Sequence, residues 1–139
     1  MSLCLYLWIT NTFQTMAEVT TKKNEQVAQM NFGSIYPHYL SRIEKHGRTK
    51  EELDKVILWL TGYDQTTLDS YIGGNGTFGE FFEGADLHQN AHLIKGVVCG
   101  YRIENIAEEF ATYRDCRRME KLVDELAKGR KMEKILREA

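Results

Sequence analysis

The stretch SIYPHYLSRIEKHGRTKEELDKVILWLTGYD, residues 34–64, decides the fold. It holds two runs with apolar residues at helical spacing, separated by a glycine. In the first, Tyr36, Tyr39, Leu40 and Ile43 fall on one face. Ser34 is placed to cap it, because its hydroxyl can accept from an orphan backbone N–H. Pro37 then falls in the first turn, where a missing N–H costs least. Lys45 and His46 suit the negative end of the helix dipole, and Gly47 suits the left-handed stop. The second run opens on Thr49 and Glu52 at capping-box spacing. Leu53, Val56, Ile57 and Leu60 line its inner face, Trp59 sits on the flank, and Gly62 ends it. Helix, short break, helix is an αα-hairpin.

The pattern continues toward the C-terminus. Asp64 caps a helix over 65–72, with Leu68, Tyr71 and Ile72 inward. Gly-Gly-Asn-Gly at 73–76 breaks the chain. Thr77 and Glu80 repeat the capping-box spacing ahead of Phe78, Phe81 and Phe82, which read as core. Gly84 ends that turn. Residues 90–103, NAHLIKGVVCGYRI, read two ways. Asn90 could cap a helix over 91–99, with Leu93, Ile94, Val97 and Val98 on one side. Val-Val-Cys and Tyr-Arg-Ile also have strand character. A lone strand needs a partner and no other segment alternates, so the helix is expected. Ile103, Ile106, Phe110, Tyr113, Met119, Leu122, Val123 and Leu126 then recur at three- and four-residue steps, as one long helix. Asp124 and Lys128 form an i,i+4 pair on it. Gly129 interrupts, and Met132, Ile135 and Leu136 face inward from a short terminal helix. The fold class expected is all-α, an irregular or orthogonal bundle of about six or seven helices, several short. Residues 1–28 lack a period and read as a disordered tail or extension; 29–139 read as one helical domain. Met16 offers an alternative start.

Composition fits a globular domain. The 139 residues are 42% apolar and 27% charged, with a net charge of −2. No overall excess of Lys and Arg favours nucleic acid. The charge is uneven, however. Residues 76–110 carry six acids against Lys95 and Arg102, and 111–139 carry nine bases against six acids. Cys4, Cys99 and Cys116 are too few and too scattered for a disulfide framework, and an odd count suits a reducing compartment. The longest apolar run, Leu3 to Ile9, is far shorter than the roughly twenty residues of a membrane span. No Lys or Arg precedes it, as a secretory signal would require. A cytoplasmic location follows as the expectation.

Motifs with chemistry are scarce. His88 and His92 are four apart, but Asn90 falls between them as a cap, and no HExxH glutamate is present; no metal is expected. GGNGTFGE at 73–80 lacks a P-loop lysine and a preceding strand. No cofactor fingerprint appears. On a helix over 91–99, Cys99 would sit at the C-terminal end, where the dipole opposes a thiolate. Cys116, among Arg114, Arg117 and Arg118, reads as the exposed side of a helix.

Three blocks carry a resemblance: residues 34–63, LIKGVVCGYRIENI at 93–106 and KLVDELAKGRKMEKILRE at 121–138. Together they resemble the bacterial domain-of-unknown-function family 2200, over about residues 29–138. The resemblance implies a small bacterial, cytoplasmic, mainly helical protein, and carries over no activity or functional residue. Two features depart from the family pattern. Some 25 residues precede the matching block, and Ala107-Glu108-Glu109 stands where a proline-containing turn is expected, so the helix is expected to run on here.

The leading functional expectation is a non-enzymatic helical module binding a protein partner or small ligand, with a homodimer as one form of partner. Tyr36, Trp59, Tyr63, Cys99, Tyr101 and Arg102 lie near element ends, where a shallow pocket could form. The alternatives are an enzyme with a site assembled around Cys99 and Arg102, and weak nucleic-acid association through the basic C-terminal third.

Overall fold

The computed structural model describes residues 19–137; the alternative start at Met16 and the first part of the expected tail lie outside them. Among the described residues the chain forms seven α-helices and one two-stranded hairpin. The helices are α1 (Thr21–Ala28), α2 (Phe32–Glu44), α3 (Lys50–Thr61), α4 (Gln65–Ile72), α5 (Phe78–Glu83), α6 (Ala111–Ala127) and α7 (Met132–Ile135). The expected all-α class therefore holds. No helix of the described residues is long and apolar enough to cross a membrane.

The αα-hairpin forms as its caps dictate. Thr49 and Glu52 make both halves of the capping box on α3, and Gly62 ends it at φ 73°. Asp64 caps α4 by accepting from Thr67 N–H, and Thr77 with Glu80 caps α5. One start differs. Asn31, not Ser34, caps α2, and accepts from Ser34 N–H at 2.8 Å. Pro37 is thus one turn deeper than expected, where it leaves the Gly33 carbonyl without its helical donor. Gly33 itself is fixed by packing: a Cβ there would stand 2.5 Å from the Ile72 carbonyl oxygen. Bare backbone lets α2 cross the end of α4.

Residues 21–28 are not a tail. They form α1, which packs against α5 and α6 and buries Val27. The sequence looked polar because α1 contributes mainly side-chain tethers. Asn24 Oδ1 accepts from Tyr113 N–H at 3.0 Å. That bond satisfies one orphan donor in the first turn of α6, whose own N-cap, Phe110, supplies none.

The helix expected over 91–99 is also corrected. A 3₁₀ turn covers Ala91–Leu93, and then strands β1 (Val97–Val98) and β2 (Tyr101–Arg102) pair antiparallel. Val97 faces Arg102 and Val98 faces Tyr101 across a two-residue loop. The loop residues Cys99 and Gly100 have φ of 55° and 84°. Positive φ at both central positions is the geometry whose twist matches a tight hairpin. The missing strand partner was the segment's own second half. The chain after it does not run on as one helix either. Two 3₁₀ turns, Ile103–Asn105 and Glu108–Phe110, precede α6, and Ala107 between them is extended at ψ 152°.

The 17-residue helix α6 is the hub, packed against α1, α2, α3, α5, α7 and the hairpin. One side of the core around it is aromatic. Phe32 stacks on Phe81 at 4.2 Å between centroids, with Tyr36, Tyr71 and Phe78 around the pair. Phe78, Phe81 and Phe82 are all buried, as core residues should be.

Candidate ligand-binding groove

A helix surrounded on most sides must bury polar residues, and α6 buries Asp115, Arg117, Glu120 and Glu125. Each has a charged partner. Arg117, fully buried, donates to Glu120 and, at 3.1 Å, to Tyr113 Oη; its guanidinium also lies over the Tyr113 ring. Arg118 donates to Asp115 at 3.0 Å. Burial, working against Arg114 and Arg118, leaves the Asp115 carboxyl above its ordinary range. Arg114 is tied to Glu108, and Asp124 to Arg42 and Lys128. The basic C-terminal third is therefore spent largely within the molecule. Cys116 is buried rather than exposed; burial first, and then Glu120, pushes its thiol up to about 12.

The six residues expected to share a pocket do not converge. Tyr36 is buried and donates to Asp54, which also accepts from Lys50 at 2.6 Å and Gln65 at 3.0 Å. This knot ties α2, α3 and α4 together; burial and Asp54 hold the Tyr36 phenol well above its ordinary value. Tyr63 donates to the Phe81 carbonyl at 2.5 Å, and burial raises it to about 12. Trp59 stacks on His88 at 4.4 Å. Tyr101, on the other side of the core, packs edge-on against Tyr113 and accepts from Lys23 at 2.6 Å. Cys99 Sγ lies 3.5 Å from Glu120 Oε2. Cys99 is disulfide-bonded, so it offers no thiol nucleophile for the enzyme reading. Arg102 is exposed on β2. Tyr36 and Tyr63 meet through Phe32 and Phe81, and Cys99 and Tyr101 share the α6 surface; Trp59 and Arg102 join neither pair. Among the described residues no cluster of three or more His, Cys, Asp or Glu is placed to hold a metal.

Two of the surface grooves among the described residues can be compared, and none of those six residues lines either. The first, about 470 Å³, runs between α3 and α4 over the Asp54 knot, with Lys50, Glu51, Gln65 and Asp69 on its walls. Its polar floor is already hydrogen-bonded to itself. The second, about 620 Å³, lies between α3, the 3₁₀ turn and α7. Leu93, Met132 and Leu136 give it apolar surface; Lys55, Glu133, Lys134 and Arg137 are charged.

Sequence and packing build this second groove. Gly129, at φ 82°, turns the chain back after α6. Buried Glu125 then accepts from Arg130 at 2.8 Å and from both terminal nitrogens of Arg137, at 2.9 and 2.8 Å. Those bonds pin both ends of the α7 segment. Asn90 Nδ2 donates to the Arg137 carbonyl at 2.6 Å, which fixes the 3₁₀ turn against the same segment. Leu93 remains 38% exposed, one of two large apolar residues so exposed among the described residues. Sequence reasoning missed this groove because it placed Leu93 on an inward helical face; Leu136 does turn inward and is buried, and Met132 is half-buried.

A model of uncharacterized proteins conserved in bacteria matches residues 26–137, which include both grooves and all of α2 to α7. The chain belongs to this family, DUF2200. A search of curated proteins finds no significant match. Among solved structures, this DUF2200 chain is similar to the crystal structure of uncharacterized protein SP1917. The two share 32% identity with a TM-score of 0.74, over 81% of this chain and 91% of the other. The resemblance read from the three sequence blocks is thus the family found. Neither comparison assigns a reaction or a ligand.

Proposed function

We propose that this DUF2200 chain is a non-enzymatic cytoplasmic binding module that takes its ligand in the α3–α7 groove. One observation carries the reading: the groove keeps apolar surface open at Leu93 and Met132 while its walls are pinned from beneath by Glu125 and Asn90. A preformed concave site with apolar lining and a few placed polar groups is the usual form of a small-ligand site, and about 620 Å³ falls in the usual range of roughly 300–1,000 Å³. The charged groups of the interior favour this over catalysis, because they pair with each other, and Cys116, the thiol that donates to Glu120, is buried and pushed up to about 12. The pairing of Arg114, Arg117, Arg118, Arg130 and Arg137 with acids also weighs against nucleic acid as the partner.

The test is a thermal-shift screen of the full chain against metabolites and short amphiphiles, run beside Leu93→Ser. A ligand at one hundred times its dissociation constant stabilises by about 2.7 kcal/mol, a shift of several degrees for this size. The expected result is a stabilising compound whose effect shrinks in Leu93→Ser, while the variant alone melts as the parent does. A compound that stabilises both proteins equally would place the site elsewhere.

A further inference from the structure

We infer that the α3–α7 groove is built for a small aliphatic carboxylate, a single anionic head on a short apolar tail. The inference rests on the binding reading above and names its ligand class. The tail has a surface to lie on: exposed Leu93 from the 3₁₀ turn and half-buried Met132 from α7, with buried Leu136 at the floor. Met132 adds an adaptable side chain, which suits an aliphatic ligand without fixed shape. The head is chosen by charge. Arg137 is already engaged by its two bonds to Glu125, a carboxylate it shares with Arg130. Lys55 and Lys134 are exposed, line the groove from α3 and from α7, and make no ion pair among the described residues. Glu133 is the one acid on the lining. Two uncommitted ammonium groups against one acid leave a groove that attracts an anion and repels a cation. A neutral amphiphile would gain the apolar contacts and forgo the charge.

The experiment is a residue-resolved NMR titration of the full chain with three probes that share an eight-carbon tail: octanoate, octyl glucoside and octyltrimethylammonium. Octanoate is expected to shift the resonances of Leu93 and of residues 132–137 and to bind at least tenfold tighter than the cation. Lys55→Gln and Lys134→Gln are each expected to weaken octanoate several-fold and leave octyl glucoside unchanged. If the three probes perturb the groove with equal affinity, the carboxylate preference is wrong and the groove stands as an apolar site. If none perturbs it, the inference falls together with the binding reading.

Discussion

Arg117 is the residue on which the interior turns. It is wholly buried, and its charge is matched by Glu120 from the next turn of the same helix. Removing one member of such a pair leaves a charge without a partner, which costs about 3–5 kcal/mol; replacing both with apolar residues is often close to neutral. Arg117→Met is therefore expected to lower the urea-unfolding free energy by about 3–5 kcal/mol. Arg117→Met with Glu120→Leu should recover most of the loss. A single variant as stable as the parent would mean that Glu120 is not held by Arg117. Asp124 acts at the surface of the same helix. Burial opposes its ionisation, but Lys128 and Arg42 prevail and hold the carboxyl below its ordinary value. A carboxyl lowered in the folded state stabilises above its unfolded value, and that contribution is lost as pH falls toward the folded one. Between pH 5 and 3 the urea midpoint should thus fall less steeply in Asp124→Asn than in the parent. Equal slopes would show that the Asp124 ion pairs add no stability. Of this, only the Asp124–Lys128 pair was legible in sequence. Helical spacing shows which residues share a face, but not that the face carrying Cys116 and Arg117 would itself be covered.

At the scale of elements, the readable parts were those in which neighbours fix one another. The Thr49–Glu52 and Thr77–Glu80 boxes, the Asp64 cap and the Gly62 stop all form as the local sequence dictates, because both partners lie within one turn. The unreadable parts depend on distant contacts. The register of α1 is held by Val27 in the core and by Asn24 at the first turn of α6, 89 residues away. The hairpin at 97–102 hides because Val97 and Val98 suit a helix face or a strand, and the decision falls on two loop residues able to take positive φ. Losing a side-chain cap costs about 1 kcal/mol. Asn24→Ala is accordingly expected to destabilise the fold by about 1 kcal/mol in chemical denaturation, whereas no change would return residues 21–28 to the status of a dispensable tail.

Across the whole molecule, a single helix collects the burial and the remaining segments compete to cover it. The fold class was plain from helical periodicity. The candidate site was not, since a groove is made by elements that meet late in the chain and leave apolar surface uncovered. Tyr36, Trp59, Tyr63, Cys99, Tyr101 and Arg102 were chosen for chemistry near element ends, and most of that chemistry is used to fasten one element to another. One groove left open among the described residues is that whose walls hang on Glu125 and Asn90. Backbone hydrogen exchange of the full chain, with and without saturating octanoate, tests that division most directly. The account predicts slowed exchange around Ala91–Leu93 and residues 132–137, with the Asp54 knot and the hairpin unchanged. Protection centred on residues 50–69 or on the 97–103 segment, or none at all, would contradict it.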